Sequence, residues 1–432
     1  MIDEKKYKDT PADWGVRCEF CPIPGFVRGA LYEPLIPNEK SHIGILMMHS
    51  HSDYLTHDVC EMARLGYRVL CAKVSDPNQI LDRRILEVKA ALCALREHPG
   101  VEKVVLWGHS GGATLLSAYQ KIAENGVSSC QGPEKIHKCC DALSGMPAAD
   151  GIMLIDANWG NAVMTLLSMD PAVTDENGSK PLDSSLNLFN PQNGFTLEGS
   201  SFDPAFTARF QKAQGERMNR LIEAARTRSE RLEKGESFFC DDEPLVIIGA
   251  AQGFMNNKLF AQDTRLLSHT KKAWPLIHAD GSITEEIIYS IRKPANNESF
   301  THSLYEGALC TTVRNFLAEY AVRTLPGYGY DADSMKGIDW SSTYSTPVGN
   351  MEDIKVPALI MGMTAGWEYI ASESIYEHSG SRDKQLAFVE GADHLYRSAV
   401  ECESYPGQYG DTFHTLLSYV DRWLSAPGRF SE

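Results

Sequence analysis

The chain has 432 residues, 43% of them hydrophobic and 23% charged, which is typical of a folded globular protein. Its formal net charge of −16 argues against a nucleic-acid partner or an anionic membrane, because those surfaces need clustered Lys and Arg. Residues 1–8 have no apolar stretch behind their charges, and the eleven cysteines are an odd number, so we expect a cytoplasmic protein with reduced thiols.

The first third of the chain alternates between strand-like and helix-like segments. The strand-like segments are apolar throughout, and residues 80–97 carry apolar side chains at the spacing of one helical face. The predicted segments are a β-hairpin at 16–21 and 26–32, strands at 43–48, 67–71, 104–107 and 151–155, and helices at 54–64, 80–97 and 115–122. This alternation predicts an α/β fold with a mostly parallel sheet covered by helices on both faces.

Residues 157–350 differ in character from the segments on either side. They begin with a loop rich in Asp, Asn, Pro and Ser, followed by a charged helix that starts at Asp203-Pro204 and runs to about residue 233. Two short β-like runs at 245–249 and 286–292 and a helix at 304–323 complete this block. We interpret it as a large, mainly helical lid inserted into a core made of residues 1–156 and 351–432. The charged helix is a candidate homodimer contact, with a solvated surface as the alternative.

The core pattern resumes after the insertion. Val356-Pro357 precedes an apolar strand that ends at Gly362, and a second strand covers 385–390. Helices are predicted at 372–378 and 412–424, the latter with apolar residues on one side.

Residues 104–114 contain the most informative motif of the chain. An apolar strand leads into Gly108-His109-Ser110-Gly111-Gly112, and a helix-like segment follows. This context is typical of a strained strand-to-helix turn that exposes its serine, with Gly108 and Gly112 relieving side-chain collisions. The backbone N–H of Gly111 would point toward an oxygen that becomes negative.

The core resembles the α/β-hydrolase fold. The segments that carry the resemblance are a strand ending in His49, Leu65-Gly66-Tyr67-Arg68-Val69, the glycine–serine motif, Val356-Pro357 and Glu390-Gly391-Ala392-Asp393-His394. It covers about residues 16–156 and 355–425 and leaves out the insertion.

The resemblance implies a catalytic triad of Ser110 as nucleophile, His394 as base and an acid that orients His394. The usual aspartate is missing from the loop after Gly362, which offers Glu368 instead. Asp156, at the end of the strand after the serine strand, is the other candidate and the one we favour.

The resemblance also implies an oxyanion hole formed by the N–H groups of Gly111 and His51. Ser50 stands where the fold commonly has glycine, and Ser50, Ser52 or Tyr54 could donate from their side chains instead. The residues expected to contact a substrate are His49, Ser50, His109, Trp159 and Trp367.

These features predict a serine hydrolase that cleaves a carboxylic ester or lactone of a small-to-medium, partly apolar molecule through an acyl-enzyme. No metal or organic cofactor is expected, and the partner would be a small-molecule substrate. Amide, carbamate or C–C bond hydrolysis and acyl transfer would use the same triad. A non-catalytic binding protein is the alternative outside enzymes.

Overall fold

The computed structural model of the chain describes residues 15–25, 27–55, 58–252, 258–295 and 307–430. Residue 26 of the predicted hairpin, residues 56–57 of the helix predicted at 54–64 and residues 304–306 of the helix predicted at 304–323 lie outside these ranges. The strands of the described part are Val16–Pro22 (β1), Arg28–Pro34 (β2), Ile43–His49 (β3), Arg68–Lys73 (β4), Lys103–His109 (β5), Gly151–Ile155 (β6), Pro244–Ile247 (β7), His269–Ile277 (β8), Ile283–Tyr289 (β9), Leu309–Thr312 (β10), Thr324–Tyr330 (β11), Met335–Ile338 (β12), Ala358–Met363 (β13) and Lys384–Val389 (β14).

The longer helices flank these strands. They are Leu81–Arg96 (α1), Gly111–Asn125 (α2), Asn161–Ser168 (α3), Pro204–Glu233 (α4), Ala371–His378 (α5) and Thr412–Leu424 (α6). Shorter helical turns cover Asp58–Leu65, where a helix at 54–64 was predicted, and Leu259–Gln262, Val313–Asn315, Phe316–Tyr320 and Pro347–Met351. Among the described helices, none is both long and apolar enough to cross a membrane.

Ten of the described strands form one sheet, in the order β1-β2-β4-β3-β5-β6-β13-β14-β8-β9. Every neighbouring pair within the run β4-β3-β5-β6-β13-β14-β8 is parallel. The pairs β1–β2, β2–β4 and β8–β9 are antiparallel. Because parallel strands all point the same way, the segments that follow β3, β5, β6, β13 and β14 meet at one edge of the sheet.

The central strands of the sheet are buried on both faces, as their apolar sequences predicted. Along β3, Leu46 and Met48 pack into one hydrophobic cluster with α1 and α2, and Ile45 and Met47 pack into a second cluster with α6. Alternate residues of a strand point to opposite faces, so an unbroken apolar run is what a doubly covered strand requires.

Two strands of the block predicted as an insertion extend the core sheet. Leu276 and Ile277 of β8 pair in parallel with Phe388 and Val389 of β14, and β9 forms the outer edge. Of these two strands, β9 alone had a signal in the residue pattern, since β8 carries two consecutive lysines and shows no regular apolar alternation.

The helix predicted at 304–323 is confirmed in part within the described residues, as short helical segments at Val313–Asn315 and Phe316–Tyr320. Residues from Leu309 form β10, which pairs with β7, and the turns Val313–Asn315 and Phe316–Tyr320 follow before β11. Helical spacing of apolar residues was overridden at β10 by strand pairing with a segment distant in sequence.

Candidate active site

Ser110 lies in a strained turn between β5 and α2. Its backbone has φ 51° and ψ −127°, a conformation that non-glycine residues seldom adopt. A Cβ atom at Gly112 would lie 2.6 Å from the carbonyl oxygen of Met48, and one at Gly108 would lie 2.8 Å from Cα of Ala113. Both glycines are therefore needed for the backbone to bring Ser110 to the edge of the sheet.

His394 and Asp156 form a short hydrogen bond at the same edge. His394 lies in the loop after β14, Asp156 directly follows β6, and Nδ1 of the histidine is 2.6 Å from Oδ2 of the aspartate. The other carboxylate oxygen of Asp156 accepts the N–H of Met363 at 2.9 Å, and the side chain is fully buried. Asp156 is thus held between the ends of two neighbouring strands, with one oxygen left for His394.

The chain order and the sheet order together decide the fold. A serine in a strained turn after β5, an aspartate after β6 and a histidine after β14 follow one another at the carboxyl edge of the mostly parallel sheet. The chain has the α/β-hydrolase fold.

Glu368, the alternative acid, lies close to the same histidine. Its Oε2 is 4.0 Å from Nδ1 of His394, which is beyond hydrogen-bond distance, and this buried oxygen has no hydrogen-bond partner among the described residues. Burial raises the pKa of Glu368, and the nearby charge of Asp156 raises it further. The geometry therefore favours Asp156 as the partner of His394 and leaves Glu368 as a second carboxyl nearby.

The charge state of His394 depends on these carboxyl groups. Burial by itself would lower the pKa of His394, but the hydrogen bond and the charge of Asp156, with Glu368 adding to them, raise it to about 9. Burial also raises the pKa of Asp156. The imidazolium form of His394 is therefore the favoured form at neutral pH.

The predicted oxyanion donor His51 is directed elsewhere. Its backbone N–H donates to Nδ1 of His49 at 3.0 Å, and the N–H of Ser52 donates to the same nitrogen at 2.8 Å. The hydroxyl of Ser50 donates to the carbonyl oxygen of Gly111 at 3.0 Å. In the α/β-hydrolase fold the loop after β3 ordinarily supplies a backbone donor, and here that donor is committed to a side chain of its own loop.

Ser110 and His394 open onto one cavity of about 390 Å³. Gly111, His49, His51 and Glu368 of the core also line it. The lining residues from the block 157–350 are Asn158, Asn161, Met164, Ala251, Gln252, Ala308, Leu309, Cys310 and Tyr320. Nine of the fifteen described lining residues thus come from that block.

Four predicted substrate contacts do not line this cavity. Ser50, His109 and Trp159 are buried in the packing behind it, each exposed by 1% or less, and Trp367 lines a separate cavity of about 370 Å³ that reaches His394 from another direction. Proximity to the motif in sequence therefore did not place Ser50, His109 or Trp159 at the cavity, because their side chains are packed into the protein interior. Of the predicted substrate contacts, His49 lines the cavity.

His109 supports the loop that carries His394. Its Nε2 donates to the carbonyl oxygen of His394 at 2.8 Å, so its Nδ1 accepts the hydroxyl of Tyr54 at 2.9 Å. The two imidazole rings also pack with centroids 4.7 Å apart. The residue before the serine therefore positions the histidine loop.

A buried ion pair that sequence reasoning missed lies beneath the cavity. Arg84 of α1 makes two hydrogen bonds to Glu319, one of them 2.9 Å long, and both side chains are fully buried. Nδ2 of Asn161 donates to Glu319 at 2.7 Å, and Nε2 of His51 lies 2.9 Å from the hydroxyl of Tyr320. The sequence feature that could have indicated this ion pair is Arg84 itself, a charged residue next to Ile85 on the apolar face of α1.

The comparisons with known proteins yield structural neighbours at low identity. No protein-family model and no curated protein matches the chain. Est1E from Butyrivibrio proteoclasticus is 10% identical with a TM-score of 0.38, covering 94% of this chain and 97% of that chain. DcsB, solved with a substrate analogue, is 10% identical with a TM-score of 0.43, covering 95% of this chain and 98% of that chain. A bacterial heroin esterase is 11% identical with a TM-score of 0.41, covering 98% of this chain and 88% of that chain.

Proposed function

We propose that this protein is a serine hydrolase that cleaves a carboxylic ester or lactone through an acyl-enzyme. The observation that carries the proposal is the meeting, at one cavity, of Ser110 in its strained turn and His394 bonded to Asp156 at 2.6 Å. A serine hydroxyl is a weak nucleophile unless a base takes its proton, and an imidazole held by a buried carboxylate is such a base.

The proposed reaction proceeds in two halves. Oγ of Ser110 attacks the substrate carbonyl while Nε2 of neutral His394 takes the hydroxyl proton, and Asp156 stabilises the imidazolium that forms. The backbone N–H of Gly111, the first residue of α2, donates to the developing oxyanion. His394 then gives its proton to the leaving alkoxide, and a water molecule, deprotonated by His394, releases the acid. These steps use protein groups and water alone.

The cavity supports a small-to-medium substrate with polar and apolar parts. Met164 and Leu309 supply apolar surface, and Asn158 and Gln252 supply amide groups. All four belong to residues 157–350, which supports the proposal that this block forms a lid over the site. Amide or carbamate hydrolysis would use the same atoms with a poorer leaving group, and products formed with and without an acceptor alcohol distinguish hydrolysis from acyl transfer.

Fluorophosphonate labelling tests the proposal most directly. The wild-type protein is incubated with the probe, and the modified peptide is identified by mass spectrometry, with Ser110→Ala as the control. We expect a single labelled site at Ser110 and no labelling of the variant, because the probe reacts with activated serines. No labelling of the wild-type protein would contradict the proposal and favour a binding protein.

The pH dependence of turnover follows from the state of His394. The base must be neutral, and its pKa is raised to about 9, so kcat/KM should increase with pH through neutrality and level off above about pH 9. Glu368→Gln removes one of the charges that raise this pKa, so the inflection should move to lower pH. Hydrolysis of a p-nitrophenyl ester, corrected with Ser110→Ala at each pH, measures both profiles. A flat profile between pH 6 and 9 would contradict this assignment.

A further inference from the structure

We propose that Cys130 and Cys139 form a redox-active dithiol, which hydrogen peroxide converts reversibly into a disulfide bond. Both cysteines are buried, with 0% and 3% of their surface exposed, and both are free thiols in the structure. They lie in the segment between α2 and β6, and neither is among the described residues that line the cavity at Ser110. The inference is therefore independent of the proposed hydrolysis.

The backbone holds the two cysteines side by side. The N–H of Cys139 donates to the carbonyl oxygen of Cys130 at 3.2 Å. A direct backbone hydrogen bond between two residues sets their α-carbons on the order of 5–6 Å apart. The α-carbons of a disulfide are about 4.4–6.8 Å apart. The backbone spacing of this pair thus suits a disulfide without a rearrangement of the chain.

The side chain of Cys139 packs against the turn that carries Cys130. Its Sγ lies 3.6 Å from the carbonyl oxygen of Val127, the first residue of the helical turn Val127–Cys130. The two thiols also interact with each other through a side-chain hydrogen bond. The two sulfur atoms therefore face each other, as the bond between them requires.

Cys130 is the thiol that loses its proton more easily. The hydrogen bond with Cys139 has the largest effect and lowers the pKa of Cys130, burial opposes this, and the ammonium groups of Lys121 and Lys135 lower the pKa further. The same hydrogen bond, together with burial, raises the pKa of Cys139. The pair thus combines one thiol that reacts as a thiolate with a second thiol that can resolve the product.

The proposed oxidation has two steps, with hydrogen peroxide as the oxidant. The thiolate of Cys130 attacks one peroxide oxygen, the O–O bond breaks, and hydroxide leaves a sulfenic acid on Cys130. Sγ of Cys139 then attacks Sγ of Cys130, so that an S–S bond forms and the S–O bond breaks. The departing oxygen takes the thiol proton of Cys139 and leaves as water. Two electrons pass from the sulfurs to the peroxide, and a reducing dithiol such as dithiothreitol returns them.

Cys140 is the neighbouring thiol that could compete with Cys139. Its backbone is extended, with φ −79° and ψ 152°. Successive side chains of an extended chain point to opposite sides, which agrees with the exposed Cys140 beside the buried Cys139. The N–H of Cys140 donates to Oδ2 of Asp82 in α1 at 2.7 Å and fixes this orientation. We therefore assign the bond to Cys139.

Peptide mapping tests this pairing. The folded protein is treated with hydrogen peroxide, unfolded in the presence of N-ethylmaleimide and digested with trypsin. Cleavage after lysine separates peptide 122–135, which contains Cys130, from peptide 139–180, which contains Cys139 and Cys140. A disulfide between the two segments appears in the mass spectrum as a pair of linked peptides.

Three serine variants identify the partners. We expect linked peptides in the wild-type protein and in Cys140→Ser, and none in Cys130→Ser or Cys139→Ser. Dithiothreitol added before the maleimide should restore two modified thiols. The thermal midpoint of the linked protein should be at or above that of the reduced protein, because the link restricts the unfolded chain and fits the native spacing.

Three results would overturn the inference. If Cys130 and Cys139 are both modified by the maleimide after peroxide treatment, they do not react as a pair. If the linked peptides disappear in Cys140→Ser, the partner of Cys130 is Cys140. A thermal midpoint of the linked protein below that of the reduced protein would mean that the bond forms from a distorted segment and that the native fold does not prepare it.

Discussion

Asp156→Asn is expected to lower kcat by about 10⁴-fold, the loss typical when a triad aspartate becomes an amide. The amide oxygen of the new side chain could still accept the N–H of Met363, and asparagine tolerates the positive φ of 47° at this position, so the backbone should be kept. The amide N–H₂ would then face Nδ1 of His394 and favour the tautomer with its proton on Nε2. That tautomer cannot take the proton of Ser110.

Glu368→Gln is the matched comparison, because it makes the same change at the second carboxyl near His394. We expect its kcat at its own pH optimum to lie within about tenfold of the wild-type value, since Glu368 lies 4.0 Å from Nδ1 and makes no hydrogen bond to it. Steady-state hydrolysis of one p-nitrophenyl ester by both variants, with thermal midpoints as the control for folding, makes the comparison. A larger loss for Glu368→Gln than for Asp156→Asn would reverse the assignment of the acid.

Glu319→Leu is expected to destabilise the protein by about 3–5 kcal/mol, because it leaves the guanidinium of Arg84 buried without its counter-charge. Both side chains are fully buried, and Glu319 accepts hydrogen bonds from Arg84 and Asn161. The double variant Arg84→Met with Glu319→Leu buries no unpaired charge at this site, so it should lose clearly less than the sum of the two single changes.

Denaturant unfolding of the wild-type protein, both single variants and the double variant provides the cycle. Because Arg84 belongs to α1 of the core and Glu319 to the turn Phe316–Tyr320 of the proposed lid, the cycle also measures how tightly the two parts are coupled. Additive losses would mean that the ion pair contributes little coupling between them.

Much of the core was predictable from local sequence. Apolar runs bounded by glycine and polar loops predicted β3, β5 and β6, because a strand buried on both faces must be apolar at every position. The context of Ser110 predicted its turn, because side chains at Gly108 and Gly112 would collide across it. The structure adds that a Cβ at Gly112 would also strike the backbone of β3.

The folding of residues 157–350 was predicted less well. β8 and β9 join the sheet beside β14, and β10 pairs with β7 where a helix was expected. β8 and β10, the two strands without a strand signal, mix polar and apolar residues and lack the unbroken apolar run that identifies a buried strand. Their partners β14 and β7 also lie far away in sequence. The predicted substrate contacts at Trp159 and Trp367 also failed, because a sequence does not show whether an aromatic side chain near the site faces the pocket. Trp159 is buried in the core, and Trp367 lines a separate cavity.

The sequence by itself determined the sheet of the core, the serine turn and the histidine loop, because each depends on neighbouring residues and on the rule that parallel strands end at one edge. The tertiary structure alone showed which carboxylate bonds His394, since Asp156 and Glu368 follow adjacent strands and differ by the 2.6 and 4.0 Å that separate their oxygens from Nδ1 of His394. The tertiary structure also decided where the N–H groups after β3 point. Those of His51 and Ser52 both donate to Nδ1 of His49, so the N–H of His51, the expected oxyanion donor, is bonded within the protein. Distances and hydrogen-bond directions arise from packing between segments that are remote in sequence, and residue patterns do not contain them.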